Sequence, residues 1–131
     1  LSILVFLTAL FPAVTMAAVS EQEGKASVQY VYINQASTSL TISPDGIASI
    51  YGYVQRTSSG NSINITSTLQ RYSNGSWSDV KSWTEYSTSW SALISETYSV
   101  TSGTYRVRTY YSVSGNSGYE SDIIYSKNVT Y

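Results

Sequence analysis

The chain has 131 residues, a formal net charge of −1, and neither cysteine nor histidine. This length allows one domain with a modest core, and the missing imidazole and thiol exclude Ser-His-Asp and Cys-His hydrolases and ordinary zinc centres. The seven basic residues are spread along the chain and form no basic stripe, so we expect no nucleic-acid partner. We also expect no cofactor.

The N-terminus is typical of an export signal. The run LSILVFLTALF is apolar, Pro12 ends it, and small residues follow at Thr15 and Ala17. Residues 1–17 are therefore predicted to be a signal peptide cleaved after Ala17, and the polar residues 18–27 a flexible leader. An uncleaved membrane anchor is the alternative, which the proline and the polar side chains disfavour. We expect a secreted or cell-surface protein with no membrane contact after cleavage, and the missing cysteine suits export from a Gram-positive bacterium.

The predicted domain covers residues 28–131 and opens with a hairpin. The segments VQYVYIN and SLTIS are β-branched and aromatic, and Pro44, Asp45 and Gly46 form a turn signal. In the following segment, IASIYGYVQR, alternate residues share one face: Ala48, Ile50, Gly52 and Val54.

A second hairpin is predicted around Asn74 and Gly75, the strongest turn signal in the chain. The strand before it, INITSTLQRY, places Ile63, Ile65 and Leu69 on one side, and SWSDVKSW is the returning strand. In an unbroken returning strand, Trp77 and Trp83 would both face solvent, whereas a bulge would reverse one of them. We expect Trp83 in or beside the core. For Trp77, a core position and a solvent-facing position are equally compatible with the sequence.

The last third repeats the alternation. WSALISETYSV places Trp90, Ala92, Ile94, Tyr98 and Val100 on one face, which predicts a core position for Trp90. TYRVRTYYSV then alternates an inner set, including Val107, with Arg106, Arg108 and Tyr110, and YESDIIYSKNVTY closes the domain. About seven short strands predict an all-β fold, an antiparallel β-sandwich of immunoglobulin or fibronectin type. A small β-barrel is the alternative.

Three segments carry a family resemblance. YINQASTSLTIS, TLQRYSNGSWSDVKSW and SGTYRVRTYYSV, in this order behind a signal peptide, resemble the small exported proteins of Gram-positive Firmicutes that are grouped as a domain of unknown function. The similarity covers most of residues 32–131. The resemblance implies an exported all-β domain, but it implies no activity and transfers no functional residue.

Carboxylates are the only catalytic or metal-binding groups left. Glu120 and Asp122 lie two residues apart and so share a face, where carbonyls of SGNSG could complete a Ca²⁺ site. The reading that we favour is a solvated edge strand whose charges oppose aggregation. We therefore predict neither a metal site nor a catalytic residue.

The aromatic content, with 13 tyrosines and 3 tryptophans, suggests recognition. Rings on a flat sheet face can stack on sugars, and neighbouring hydroxyls and amides can bind sugar hydroxyls. We predict a non-catalytic module that binds a cell-wall or extracellular glycan, or a surface protein, through sheet-face aromatics such as Trp77, Tyr110 and Tyr53. The alternative is a structural or assembly subunit that pairs through an edge strand.

Overall fold

The computed structural model describes residues 30–131, so the predicted signal peptide and leader, and residues 28 and 29 of the predicted domain, lie outside the described residues. This region is built from eight strands: β1 (Ile33–Ile42), β2 (Ile47–Arg56), β3 (Gly60–Ser73), β4 (Ser76–Ser87), β5 (Ser91–Ser99), β6 (Thr104–Gly115), β7 (Gly118–Tyr125) and β8 (Val129–Thr130).

The strands form two antiparallel sheets that pack against each other. The smaller sheet has the order β1-β2-β5, and the larger has β4-β3-β6-β7, with the two-residue β8 paired to β6 on the β7 side. The sheets do not close into a barrel. The predicted β-sandwich is therefore confirmed: strands β1, β2 and β5 form one sheet and face β3, β4, β6 and β7 of the other.

Turn chemistry fixes both predicted hairpins. Asn74 and Gly75 have positive φ angles of 53° and 82°, the pair of left-handed conformations that a two-residue type I′ turn requires. In the first hairpin Gly46 has a φ of 82°, and its amide donates to the Ser43 carbonyl at 2.9 Å. Each hairpin therefore sets the register of the strands that it joins.

The core lies between the inner faces of the two sheets and follows the predicted alternation. In β6 the residues that alternate with the arginines are buried, among them Val107, which has no exposed surface. The buried apolar residues come from both sheets: Ile33, Leu40, Ala48, Ile50, Val54, Ile63, Ile65, Leu69, Ala92, Ile94, Tyr105, Val107, Tyr111 and Val113.

A bulge in β4 separates the two tryptophans of the second hairpin. The register shifts where Leu69 pairs with Lys81 and Gln70 with Asp79, which leaves Val80 as the extra residue. Because one extra residue reverses the facing of a strand, Trp83 lies on the inner face and packs against the core, as predicted. Trp77, on the other side of the bulge, lies on the outer face.

The predicted core position of Trp90 is wrong. Strand β5 begins only at Ser91, and Trp90 lies in the preceding bend with 56% of its surface exposed. Its ring contacts the Arg56 guanidinium, whose carbon lies 4.7 Å from the ring centroid. The alternation holds from Ala92 onward, but a period of two carries no information beyond the end of the strand.

A chain of hydroxyl groups, buried at Ser67 and Thr109 and half-buried at Thr38, lies between the two sheets. The hydroxyls of Ser67 and Thr109 lie 2.8 Å apart, Thr109 donates to the Thr38 hydroxyl at 2.9 Å, and Thr38 donates to the Tyr51 carbonyl at 2.8 Å. A Cβ at Gly52 would overlap the Ser67 hydroxyl. Glycine at this strand position therefore makes room for the hydroxyl chain.

Gly52→Ala is accordingly expected to destabilise the protein by about 1–3 kcal/mol, because its methyl group overlaps a buried side chain. Chemical denaturation measures the loss. In a Ser67→Ala background, which removes the overlapping hydroxyl, the same substitution should cost clearly less. An equal cost in both backgrounds would show that the overlap with Ser67 is not the cause.

Candidate functional site

The outer face of the larger sheet carries the candidate site, because strand register places most of the exposed rings there. Thr66 pairs with Tyr110, which pairs with Ile123, and in the next row Thr68 pairs with Arg108, which pairs with Tyr125. We call this surface the aromatic face and define it by its central residues: Thr66, Thr68, Gln70, Tyr72, Trp77, Asp79, Ser82, Thr84, Arg106, Arg108, Tyr110, Ile123 and Tyr125.

A ladder of rings stacked on one guanidinium runs across this face. The guanidinium carbon of Arg106 lies 4.2 Å from the ring centroid of Trp77 and 4.2 Å from that of Tyr125. Trp77 also meets Tyr72 edge to face, with centroids 5.2 Å apart. Each cation–π contact contributes about 0.5–1 kcal/mol at an exposed position. The contacts therefore restrict the movement of rings from three strands, β3, β4 and β7, around the arginine on β6.

Hydrogen bonds beneath the ladder hold Arg106 in place. Its Nε donates to Gln70 Oε1 at 2.8 Å, and Gln70 Nε2 donates to Asp79 Oδ1 at 2.9 Å. Gln70 and Thr68 are buried although they belong to the outer face, since the longer side chains around them exclude water. The aromatic face is therefore a packed second layer of side chains above the sheet.

A hydroxyl row borders the rings on the β4 side. The Thr66 and Thr84 hydroxyls lie 3.0 Å apart, and those of Thr68 and Ser82 lie 2.7 Å apart. Thr84 and Ser82 are exposed, so each can exchange a further hydrogen bond with a bound molecule. Rings beside hydroxyls are the combination that sugar recognition requires.

Two of the three predicted contact residues share this face. Trp77 belongs to the ladder, while Tyr110 lies on β6 beside Ile123 and is 38% exposed. Tyr53 lies on the outer face of the smaller sheet, where its ring stacks with Tyr51 at a centroid distance of 6.5 Å. The structure therefore does not bring Tyr53 together with the other two, since the two outer faces point in opposite directions.

Arg108 and Tyr125 were not among the predicted contacts, although they lie at the centre of the face. Arg108 was recognised as an outward-facing residue, but its neighbours depend on the pairing of β6 with β7. That pairing could have been predicted from the short SGNSG turn. Ser114 pairs with Tyr119 across the turn, and the same register, counted along both strands, pairs Arg108 with Tyr125.

The carboxylates considered for Ca²⁺ instead bind the segment that precedes β1. Glu120 Oε1 accepts from the backbone amides of Tyr32 at 2.7 Å and Ile33 at 3.2 Å, and Oε2 accepts from that of Val31 at 2.7 Å. Asp122 Oδ2 accepts from the Tyr30 hydroxyl at 2.5 Å. The favoured reading of two solvated charges is therefore wrong, because both side chains point inward and are half-buried.

No metal-binding cluster is found in the part of the chain that the structure describes: nowhere do three or more Asp and Glu side chains come together. Glu120 and Asp122 are two carboxylates whose oxygens already accept hydrogen bonds from the Tyr30–Ile33 segment. Their arrangement fits a structural role, attaching the start of the domain to the β7 edge.

Two tyrosines at this attachment make stability sensitive to alkaline pH. Burial, together with the hydrogen bond to Asp122, raises the pKa of Tyr30 far above its usual 10.0, and burial beside the same carboxylate raises the pKa of Tyr111 to about 12. Both phenols favour the neutral form in the folded state. Their contribution to stability is thus complete below pH 10 and is lost as the pH rises through 10 toward 12 and beyond.

We expect the denaturation midpoint to fall between pH 9 and pH 11.5, and to fall less in Tyr30→Phe, which has no phenol to ionise at this position. Urea denaturation at several pH values measures both slopes. Tyr119→Phe is the matched control on β7, since this ring is 68% exposed. Parallel pH curves for Tyr30→Phe and the unmodified protein would contradict the assignment.

Comparison with protein-family models, with curated proteins and with solved structures found no match to this chain. The resemblance to exported Firmicutes proteins therefore stays an expectation from the sequence. Between residues 30 and 131 no helix has the length and apolarity needed to cross a membrane.

Proposed function

We propose that the protein is an exported, non-catalytic module that binds a cell-surface or extracellular polymer through the aromatic face. One observation carries the proposal: several partly exposed rings lie on one sheet face and are held in position by contacts with Arg106 and with each other. Rings that are already fixed lose little side-chain entropy when a ligand stacks on them. Such a surface favours recognition over chemistry.

The acidic side chains also favour recognition. Among the residues that define the aromatic face, only Asp79 is a carboxylate, and it accepts a hydrogen bond from Gln70. Glycoside hydrolysis ordinarily uses two carboxylates roughly 5–10 Å apart across the bond that is cleaved. Together with the absence of histidine and cysteine from the sequence, this arrangement offers the face no acid–base pair.

The shape of the face suits an extended ligand. Its rings and hydroxyls lie on four neighbouring strands, from Trp77 and Thr84 on β4 to Tyr125 on β7, which spans about 14 Å at the usual strand spacing. A surface of this width can contact several units of a chain at once. We therefore favour a polysaccharide over a small molecule, which would usually occupy a concave pocket.

The proposal is tested by retention of the purified protein on insoluble glycans and on bacterial cell-wall material. Retention should be reduced by soluble fragments of the same polymer. Substitutions on the aromatic face should weaken it, while substitutions of Tyr51 and Tyr53 on the opposite face should not. Failure to bind any of these materials, or loss of binding only through the opposite face, would contradict the proposal.

An assembly role through edge-strand pairing is the second candidate, and the composition of β1 favours it. Three of the described edges carry charged side chains on their inner faces: Lys81 and Glu85 on β4, Glu96 on β5, and Glu120 and Asp122 on β7. Inward charges of this kind discourage strand addition. Strand β1, with the sequence INQASTSLTI, has ten residues and no charge.

The two candidates differ in their concentration dependence. Pairing through β1 would produce dimers or larger oligomers as the protein concentration rises, and Thr41→Lys on that edge should suppress them. Sedimentation velocity over a hundredfold range of concentration measures this. A monomer at all concentrations would exclude the assembly role and leave the glycan proposal untouched.

A further inference from the structure

Arg108 differs from the other three arginines of the chain. Arg56 donates to four backbone carbonyls, Arg71 donates to the Ser102 carbonyl, and Arg106 is held by Gln70 and two rings. Arg108 is half-buried, yet within residues 30–131 its guanidinium makes no hydrogen bond, ion pair or ring contact. Its five donors are therefore available to a bound molecule.

The position of Arg108 gives its guanidinium aromatic neighbours. Tyr125 is its partner on β7, and Tyr110 follows two residues later on the same face of β6. Tyr110 is 38% and Tyr125 49% exposed. No ring contact involves Tyr110 in the described region, and Tyr125 meets only the Arg106 guanidinium. A sugar whose charged group binds Arg108 would thus lie beside Tyr110 and Tyr125, whose rings can stack on the sugar ring.

The charge of the aromatic face differs from that of the whole chain. The face has two guanidinium groups and one carboxylate, whereas the chain has a formal net charge of −1. The carboxylate, Asp79, lies on β4, separated from Arg108 by β3, a distance of about 10 Å at the usual strand spacing. Nothing on this face neutralises Arg108 at close range, so the surface is complementary to an anion.

We propose that Arg108 makes the aromatic face selective for acidic polysaccharides whose sugars carry carboxylates. The inference rests on the proposed glycan-binding function and adds the ligand class. A guanidinium binds a carboxylate through two parallel hydrogen bonds, and Tyr110 and Tyr125 can stack on the ring that bears this carboxylate. A polyol phosphate also has an anionic group but offers no ring to stack, so the aromatic neighbours favour a uronic acid polymer.

The test compares one polymer with and without its charge. Polygalacturonate and its fully methyl-esterified form have the same sugar rings, and affinity electrophoresis measures the binding of the unmodified protein to each. We expect binding to polygalacturonate to be about fivefold or more stronger than binding to the ester, as for a charge-assisted hydrogen-bonded pair, and to weaken with added salt.

Arg108→Gln should abolish the preference for the acid form, so that the affinities for the acid and the ester become about equal. Lys81→Gln is the matched control, since it removes one exposed positive charge from the β4 edge, and should leave both affinities unchanged. Denaturation midpoints show that each variant is folded. Arg108→Lys, which keeps the charge but loses the fork of donors, should fall between the unmodified protein and Arg108→Gln.

Four results would overturn the inference. Equal binding of both polymer forms, or acid binding that survives Arg108→Gln, would remove the role of Arg108 and leave the glycan-binding function standing. Stronger binding of a polyol phosphate than of polygalacturonate would replace the ligand class. Failure to bind either form would reject the inference, and it would reject the proposed function as well only if no other glycan or cell-wall material is retained.

Discussion

Val107→Asp is expected to abolish folding. Val107 has no exposed surface and pairs with Leu69 of β3, which is also completely buried. An unpaired carboxylate at this position would lie between the two sheets, on the face of β6 opposite Arg106 and Arg108. Because burial of such a charge costs several kcal/mol and a domain of this size is stable by about 5–15 kcal/mol, we expect an unfolded or insoluble protein.

Circular dichroism and tryptophan fluorescence measure the loss of structure. Ser112→Asp is the matched control, since it adds the same charge to β6 at a half-buried position on the outer face. We expect the control to fold with a stability within about 1 kcal/mol of the unmodified protein. Comparable folding of both variants would mean that the two faces of β6 are assigned incorrectly.

Most of the fold could be predicted because strands and tight turns leave local signals. The alternation in TYRVRTYYSV specifies which side of β6 is buried before its neighbours are known, and the faces of β2 and β3 follow in the same way. Asn74 and Gly75 specify their hairpin because few residue pairs tolerate two successive positive φ angles. The two-residue alternation of the strands and the residues of the tight turns were therefore sufficient to predict the β-sandwich.

The errors occurred where local signals end. Trp90 fits the alternation of inner and outer residues along β5, but the strand begins only after it. The bulge at Val80 depends on how β4 pairs with β3. The hydrogen bonds from Tyr30 to Asp122 and from Val31 to Glu120 join residues about ninety positions apart. Contacts at this separation arise from the packing of the sheets and leave no pattern in either segment.

The candidate site was predicted only in part for the same reason. The alternation along β6 placed Tyr110 and Arg108 on an outer face, but it could not show which of the outward-facing rings belong to the same sheet. Tyr53 is outward-facing too, yet β2 belongs to the smaller sheet and β6 to the larger. The ladder around Arg106 needs strands β4, β3, β6 and β7 in this order in one sheet, and this order is a property of the sheet.

The double variant Tyr110→Ala, Tyr125→Ala is expected to weaken retention on the bound glycan by tenfold or more. Both rings belong to the aromatic face and keep an open side for a ligand: Tyr110 has no ring contact among the described residues, and Tyr125 is stacked only on Arg106. Stacking contributes roughly 1–3 kcal/mol per ring in comparable binding surfaces, so the loss of two rings exceeds one factor of ten.

The double variant Tyr51→Ala, Tyr53→Ala is its matched control, because it removes two tyrosines from the opposite outer face. We expect its retention to be unchanged, although Tyr53 was among the contacts predicted from the sequence. Trp77→Ala should have an intermediate effect, since one side of its ring is stacked on the Arg106 guanidinium and its removal also loosens that arginine. Loss of retention in the Tyr51 and Tyr53 variant alone would move the binding surface to the smaller sheet and contradict the role of the aromatic face.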